Sequence, residues 1–131
     1  MFAANGTADA RQFMSEMKIS HTVANGVSVC RVEGRMDVQG SSVLETYAQQ
    51  RLSAGELRLV LDLAGVGYIS SAGLRSLLVV AKKVQAVKGC LVLCGLTPIV
   101  LNVVNISGFQ QLLKVCVTEE EAVAAAANVP G

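Results

Sequence analysis

One stretch limits what this chain can fold into more than any other: residues 57–87, LRLVLDLAGVGYISSAGLRSLLVVAKKVQAV. It opens with an apolar run, Leu57 to Leu63, which predicts a strand buried on both faces. Gly65 and Gly67 interrupt this run and predict the end of the strand. A helix is predicted from Ala72, because apolar residues recur there at helical spacing: Leu74, Leu77, Leu78, Ala81 and Val84.

Two serines, Ser70 and Ser71, stand where the predicted strand gives way to the predicted helix. In an open α/β sheet, functional groups collect beyond the carboxyl ends of the strands. A helix N-terminus also presents unpaired N–H groups and about half a positive charge, which favours an anion. The simplest interpretation is that one serine caps the helix, which stabilises it by about 1 kcal/mol relative to alanine. The alternative is a serine that carries a phosphate.

A nucleophilic serine is a third interpretation of the same pair. The hydrolase elbow Gly-x-Ser-x-Gly places its serine on a strand-to-helix turn. Around Ser71 only Gly73 fits this pattern, because Ile69 stands where the first glycine is needed. A catalytic triad also requires a histidine, and the sole histidine, His21, falls on a predicted opening strand as a core or edge residue. We therefore predict that the protein is not an enzyme.

Turn and capping signals divide the first half of the chain into elements. Asn25-Gly26 separates the alternating segments Met17–Val23 and Val27–Glu33, which predicts an antiparallel β-hairpin. A Ser42–Glu45 capping box predicts the start of the next helix, and Ser53-Ala54-Gly55 predicts its end.

Similar signals follow the central strand and helix. Cys90–Cys94 predicts another short buried strand. Thr97-Pro98 predicts a helix with Thr as N-cap and Pro at the first helical position, and Ser107-Gly108 predicts its end. Leu112–Val117 predicts the last strand, and a Thr118–Glu121 capping box predicts the start of the last helix.

The predicted order of elements, β-β-α-β-α-β-α-β-α, defines an α/β fold. Strand–helix–strand units imply parallel pairing with right-handed crossovers, and the hairpin adds one antiparallel pair. The expected fold is a mixed β-sheet with a parallel core, an N-terminal β-hairpin and about four α-helices. The chain has 131 residues without a repeat or a linker. We predict one domain over residues 17–131, preceded by a flexible arm over residues 1–16.

Composition excludes several classes of function. The chain is 52% hydrophobic and 16% charged, which fits a sheet covered by helices. No apolar run is long enough to cross a bilayer, and the N-terminus lacks the basic start and apolar stretch of a secretory signal. With a net charge of +1 and no basic stripe, the protein is not expected to bind nucleic acid.

The cysteines predict a reducing environment. Cys90 and Cys94 share one predicted strand, so their Cα atoms would be roughly 13 Å apart, too far for a disulfide. The chain has one histidine, so it offers few of the side chains that usually bind zinc. We expect four small buried thiols in a cytoplasmic protein, no metal and no cofactor; the four are Cys30, Cys90, Cys94 and Cys116.

The segment VLDLAGVGYISSAGLRSLL, residues 60–78, resembles the signature of STAS domains, and within them the bacterial anti-sigma factor antagonists. In that family an apolar strand leads through an Asp-Ser-Ser-Gly-Leu type turn into a helix. Aligned on Gly73 and Leu74, Ser71 takes the position of the serine that is phosphorylated in the family. Ser70 then stands where many members have Asp.

A second motif supports the resemblance. Gly34-Arg35-Met36-Asp37 resembles the family's Gly-x-Leu/Met-Asp turn, whose Asp lies beside the phosphoacceptor serine. Ala72 stands where many members have the second Ser of the helix-opening motif. The resemblance extends from about Met17 to Ala127 and implies that the mixed sheet is STAS-like.

The resemblance implies a phosphorylation-switched binding module. The unphosphorylated form would bind an anti-sigma factor/serine kinase of the histidine-kinase-like ATPase type and so release a sigma factor. The same partner would phosphorylate Ser71, and a PP2C-type phosphatase would reset it. The residues expected to contact the partner are Asp37, Ser70, Ser71, Ala72, Gly73, Leu74 and Arg75.

An alternative keeps the fold and drops the switch. STAS domains also serve as constitutive partners in membrane transport assemblies and in large stress-sensing complexes. Under this alternative the chain is an interaction or scaffold subunit, and Ser71 is not phosphorylated.

Overall fold

The computed structural model describes residues 17–108 and 113–128, so the arm predicted over residues 1–16 lies outside the described residues. The order of elements within the described part is the predicted one. The elements are β1 Lys18–Ala24, β2 Val27–Met36, α1 Val38–Ser53, β3 Arg58–Ile69, α2 Ser71–Ala86, β4 Cys90–Cys94, α3 Pro98–Ser107, β5 Lys114–Cys116 and α4 Glu119–Ala127.

The strands form one mixed sheet, as predicted. Their spatial order is β1-β2-β3-β4-β5, and every neighbouring pair is parallel except the antiparallel β1–β2 hairpin. The hairpin turn uses Asn25 at φ 55° and Gly26 at φ 77°. A type I′ turn requires these two positive φ angles, which explains the Asn-Gly pair.

The two faces of the sheet carry two apolar clusters. Helices α1, α2 and α3 cover one face, where they pack on residues such as Leu59 and Leu61 of β3. This follows from the strand order, because right-handed crossovers between consecutive parallel strands all return on the same side. The opposite face is covered by α4, whose small side chains pack against Val60 and its neighbours: Ala122, Val123 and Ala126. The prediction that β3 is buried on both faces is therefore confirmed in its first half.

The predicted break at Gly65 and Gly67 is wrong, because β3 continues to Ile69. The register against β2 shifts twice along this segment, so β3 carries an extra residue at each shift while pairing continues. A Cβ at Gly65 would lie 2.7 Å from the side chain of Glu33, so a glycine is required where β2 comes close. The glycines permit irregular pairing, as in β-bulges, without ending the strand.

The predicted Ser42–Glu45 capping box is also wrong. Helix α1 begins one turn earlier, with Asp37 as its N-cap. One carboxylate oxygen of Asp37 accepts a hydrogen bond from the backbone N–H of Gly40 at 2.9 Å. This aspartate satisfies an unpaired N–H of the first turn, so the Ser–Glu pair lies inside the helix.

The other predicted helix starts are confirmed with one qualification. Thr118 and Glu121 form a reciprocal capping box at the start of α4. Thr97 is the N-cap residue of α3 and Pro98 is its first residue. The hydroxyl of Thr97, however, donates to the carbonyl oxygen of Val66 at 3.1 Å and makes no cap hydrogen bond. Thr97 therefore attaches the start of α3 to the far half of β3.

All four cysteines lie within the described residues and are free thiols. The predicted burial is confirmed for Cys30 and Cys94 but is wrong for Cys90 and Cys116, which are half-buried. Burial raises the pKa of the Cys30 thiol to about 11 and that of Cys94 to about 12. Both side chains therefore stay protonated and behave as small apolar groups. Within residues 17–108 and 113–128, no cluster of three metal-ligating side chains is found, and no helix is long and apolar enough to span a bilayer.

Glu56 joins the hairpin to α1 at the N-terminal end of β3. One of its carboxylate oxygens lies 3.0 Å from Nε2 of His21 and accepts a hydrogen bond from the Ser28 hydroxyl at 2.5 Å. The other oxygen accepts from Arg51 at 3.2 Å. The hydrogen bond from Ser28, followed by the positive charge of Arg51, lowers the pKa of the Glu56 carboxyl. His21 is thus engaged in a structural contact, in agreement with its interpretation as a core or edge residue.

We expect Glu56→Gln to lower the free energy of unfolding at pH 7 by about 1–2 kcal/mol, because it weakens charge-assisted hydrogen bonds. The loss should depend on pH with a defined sign. The folded-state pKa of Glu56 lies below its unfolded value, so its stabilisation is present above about pH 4.3 and is lost as pH falls through the folded pKa. Urea denaturation at pH 7 and pH 3 measures both terms. Glu33→Gln, at an exposed position of β2, is the control. A deficit of the same size at pH 3 would contradict this account.

Candidate functional site

The candidate site lies where β2 and β3 end. Their last register pair is Met36 and Ile69, whereas β4 stops at Cys94 opposite Asp62. The residues that follow Met36 and Ile69, namely Asp37 and Ser70, therefore lie beside each other beyond the carboxyl ends of adjacent strands. Each of them is the N-cap of the helix that follows. The structure thus brings the starts of α1 and α2 to one edge of the sheet.

Ser70 is the cap of α2, as predicted for one of the two serines. Its hydroxyl accepts a hydrogen bond from the N–H of Gly73 at 3.1 Å and donates to the carbonyl oxygen of Met36 at 3.1 Å. The backbone N–H of Ser70 also donates to the Met36 carbonyl oxygen, at 3.0 Å. The Ser70 hydroxyl is therefore used as donor and as acceptor, and it fixes the start of α2 to the end of β2.

Ser71 is the first residue of α2, and its side chain is exposed. No hydrogen bond engages its hydroxyl among the residues that the structure describes. The first turn of α2 carries no acidic residue. No acidic residue of α2 itself therefore offsets the positive end of the helix, and the Ser71 hydroxyl beside it is exposed to solvent.

Gly73 allows α2 to start this close to the sheet. It is buried, and a Cβ at this position would collide with the carbonyl oxygen of Met36 and lie 2.8 Å from its Cγ. The absence of a side chain at this position is therefore required by the packing of the chain itself. Leu74 and Ala72 are half-buried and Arg75 is exposed. Of the residues predicted to contact a partner, Ser71 and Arg75 are the most accessible.

Asp37 is fixed by its role in α1. Its Oδ1 caps Gly40, and its Oδ2 lies 4.0 Å from Nε of Arg35. The side chain is 27% exposed, so part of the carboxylate faces solvent at the same edge as Ser70. The predicted proximity of Asp37 to the serine pair agrees with the pairing of Met36 with Ile69.

Two further serines, which the sequence analysis did not single out, connect the helices behind the site. The Ser76 hydroxyl of α2 is buried and donates to the carbonyl oxygen of Ser41 in α1 at 3.0 Å. The Ser41 hydroxyl in turn donates to the carbonyl oxygen of Asp37 at 2.6 Å. Buried hydroxyls of this kind are costly unless paired, so they fix the separation of the two helix starts. A serine on the apolar face of the predicted helix was the available signal for Ser76.

Arg35 and Tyr68 form a second pair that sequence reasoning missed as a site feature. The guanidinium carbon of Arg35 lies 4.0 Å from the centroid of the Tyr68 ring. Both side chains are exposed at the ends of β2 and β3, immediately before Met36 and Ile69. Their contact depends on the register shift between the strands, which local sequence does not reveal.

The sole histidine is remote from the serines. His21 contacts Glu56, which precedes β3, whereas Ser70 and Ser71 follow the end of that strand. A strand of this length, 12 residues, spans roughly 40 Å. The geometry therefore provides no histidine base for a nucleophilic serine.

The comparisons with known proteins agree with this geometry. Residues 18–122 match the STAS domain family. Over 109 residues the chain is 40% identical to "Putative anti-sigma factor antagonist BtrV" of Bordetella bronchiseptica, which covers 83% of this chain and 94% of that protein. The chain therefore belongs to the STAS domain family. By sequence it groups there with the anti-sigma factor antagonists, as the two motifs predicted.

Solved structures show the same fold at lower identity. An anti-sigma factor antagonist from Mycobacterium paratuberculosis has a TM-score of 0.79 at 21% identity, with 86% of this chain and 96% of that chain covered. The antagonist SpoIIAA in its unphosphorylated form has a TM-score of 0.71 at 20% identity, with coverage of 88% and 100%. Bacillus SpoIIAA in the phosphorylated form has a TM-score of 0.64 at 20% identity, with coverage of 84% and 98%.

The two serines should differ in their effect on stability. We expect Ser70→Ala to lower the free energy of unfolding by about 1–2 kcal/mol, because it removes a helix cap. Ser71→Ala is the matched control, and its effect should stay within about 0.5 kcal/mol because the side chain is exposed. Chemical denaturation of both variants measures the difference. Equal destabilisation by the two substitutions would show that the capping role is not confined to Ser70.

Proposed function

We propose that this protein is an anti-sigma factor antagonist whose binding to its partner is switched by phosphorylation of Ser71. The partner is an anti-sigma factor/serine kinase of the histidine-kinase-like ATPase type. The observation that supports the proposal most directly is that the two neighbouring serines differ in hydrogen bonding and exposure. The Ser70 hydroxyl makes two structural hydrogen bonds, one as the helix cap and one to Met36, whereas the Ser71 hydroxyl is exposed at the positive end of the same helix.

The domain itself would tolerate the added charge. A phosphoserine carries about −1.5 to −2 charges and three strong acceptor oxygens. At position 71 this charge would lie at a helix N-terminus with no acidic residue in the first turn. No hydrogen bond of the described residues would be broken, because Ser71 makes none with its side chain. Phosphorylation would therefore leave the fold intact and change only the surface.

A docked partner would not tolerate the same charge. A protein surface that covers Ser71 together with Leu74 would have to desolvate the phosphate or face it with its own acidic groups. A loss of about 3 kcal/mol weakens binding more than a hundredfold. The phosphorylated form would then release the kinase, and a PP2C-type phosphatase would restore the binding form. Binding of the kinase would free the sigma factor that it holds.

The relatives support a cycle of this kind. The antagonist SpoIIAA, which shares the fold, has been solved in unphosphorylated and phosphorylated forms. In the proposed cycle the chain acts by binding and performs no catalysis, and the kinase supplies the chemistry. We place this cycle in the cytoplasm, where transcription is regulated. The partner-binding surface proposed here comprises Asp37, Ser70, Ser71, Ala72, Gly73, Leu74 and Arg75, with Gly73 acting through its close packing on Met36.

Phosphorylation can be tested with the purified histidine-kinase-like ATPases of the source organism. Incubation of the protein with each of them and ATP should add one phosphate, located at Ser71 by peptide mass spectrometry. Ser71→Ala should accept none. Ser70→Ala should still accept phosphate, because the Ser70 hydroxyl is engaged with Met36 and Gly73. Phosphate at Ser70, or none with any ATPase of the class, would favour a constitutive scaffold without a switch.

Partner binding should follow the charge at position 71. We expect Ser71→Asp to weaken binding to the same ATPase by about a hundredfold, whereas Ser71→Ala should bind as the unmodified protein does. Ser20→Asp adds the same charge at an exposed position of β1 and should bind normally. Isothermal titration calorimetry measures the three affinities. Equal affinity of Ser71→Asp and Ser71→Ala would contradict the switch even if the fold is unchanged.

A further inference from the structure

One end of the sheet face opposite α1–α3 is not covered by any of the described elements. Helix α4 starts at Glu119, whose carboxylate accepts two hydrogen bonds from Arg31 at 2.7 and 2.9 Å. Beyond this ion pair, β2 and β3 continue towards the candidate site without cover from α4. β4 has already ended at Cys94. The exposed residues of β2 and β3 on this segment are Glu33, Arg35, Ala64, Gly65, Gly67 and Tyr68.

The stacking of Arg35 on Tyr68 positions the Arg35 guanidinium at the protein surface. The ring of Tyr68 lies under the guanidinium carbon at 4.0 Å, which restricts the long arginine side chain. Among the described residues, the nearest carboxylate oxygen is Oδ2 of Asp37, 4.0 Å from Nε. In the described part of the chain, no hydrogen bond engages the guanidinium of Arg35. With 53% of the Arg35 side chain exposed, the guanidinium is accessible to a further carboxylate beside Asp37.

Gly67 leaves the backbone of β3 exposed beside the Arg35–Tyr68 pair. It is the extra residue of β3 at the second register shift, between the Gly34–Val66 and Arg35–Tyr68 pairs. A Cβ at Gly67 would meet nothing within 4 Å, and its φ is not in the left-handed region. Neither packing nor backbone conformation within the described chain therefore requires a glycine here. A glycine in a strand also marks places where another backbone approaches closely.

This surface is continuous with the proposed phosphorylation site. Tyr68 and Arg35 precede Ile69 and Met36, the residues that lead directly into the N-caps of α2 and α1. The exposed side chains around this edge include the cations of Arg35 and Arg75. The first turns of α1 and α2 carry no acidic residue. A partner that covers Ser71 therefore meets these two exposed cations beside the partly exposed carboxylate of Asp37.

We propose that Arg35 and Tyr68, together with the bare backbone at Gly67, form a docking surface for the kinase that acts on Ser71. The inference rests on the proposed function. Its occupant is a segment of the kinase that presents a carboxylate side chain to Arg35. A guanidinium binds a carboxylate through two parallel hydrogen bonds, and Arg and Tyr are enriched among the residues that dominate interface affinity. Stacking on Tyr68 lowers the conformational entropy that Arg35 loses on binding.

Kinetics of Ser71 phosphorylation test this proposal. With the histidine-kinase-like ATPase that phosphorylates the protein, Arg35→Ala and Tyr68→Ala should each raise KM about tenfold or more and leave kcat nearly unchanged. Arg35→Glu should have a larger effect, because it places like charges together. Lys114→Glu and Val117→Ala, at exposed positions around β5, are the matched controls and should leave KM unchanged.

Gly67→Leu provides an independent test. The space at this position is open, so the variant should fold and unfold as the unmodified protein does in a thermal melt. Its added side chain should nevertheless exclude the approaching partner and raise KM about tenfold. Ala24→Leu, at an exposed position next to the hairpin turn, adds similar bulk elsewhere and should have no effect.

The outcomes separate this inference from the proposed function. If Ser71→Asp abolishes binding but the variants at Arg35, Tyr68 and Gly67 keep normal KM values, the docking surface is wrong and the switch stands. If Arg35→Ala alters only the removal of phosphate from Ser71 by the phosphatase, Arg35 serves the phosphate of its own chain and docking is overturned. If no ATPase of the class phosphorylates Ser71, both proposals fail.

Discussion

The carbonyl oxygen of Met36 is the point on which the geometry of the site depends. It accepts hydrogen bonds from the backbone N–H and from the hydroxyl of Ser70, and it occupies the space in which a side chain at Gly73 would lie. The last residue of β2 thereby sets where α2 begins and how closely it packs. Because the Ser70 hydroxyl is hydrogen-bonded within this junction, the next residue, Ser71, is directed to solvent at the helix start. A difference of one residue in this junction would exchange the roles of the two serines.

The rest of the fold holds this junction from both sides. Register shifts along β3 allow Ile69 to face the core under α1 and α2, while Tyr68 faces the opposite side of the sheet. The buried hydroxyls of Ser76 and Ser41 connect the two helices behind the junction. At the other end of the sheet, Glu56 fastens the hairpin to α1. The domain is therefore a stable platform, and the hydroxyl that we propose to be phosphorylated lies at its edge.

Features with local causes could be predicted from the sequence, and features set by strand pairing could not. The order of elements, the Asn-Gly turn and the cap at Ser70 each follow from a few neighbouring residues. Glycines are ambiguous in this respect, because they permit a bulge as readily as a chain end, and only the approach of β2 decides at Gly65. The start of α1 was misplaced because Asp37 competes with the Ser–Glu pair one turn later. The Arg35–Tyr68 contact requires the register, which is a property of two distant segments.

The neighbouring starts of α1 and α2 have one further consequence. Two helices that begin side by side bring two partial positive charges together, and only that of α1 has a carboxylate at its N-cap, Asp37. The phosphate that we propose on Ser71 would offset the positive end of α2. The modified state would then be more resistant to unfolding than the state that binds. A cell could then accumulate the phosphorylated protein. A phosphatase, rather than new protein synthesis, would restore the binding form.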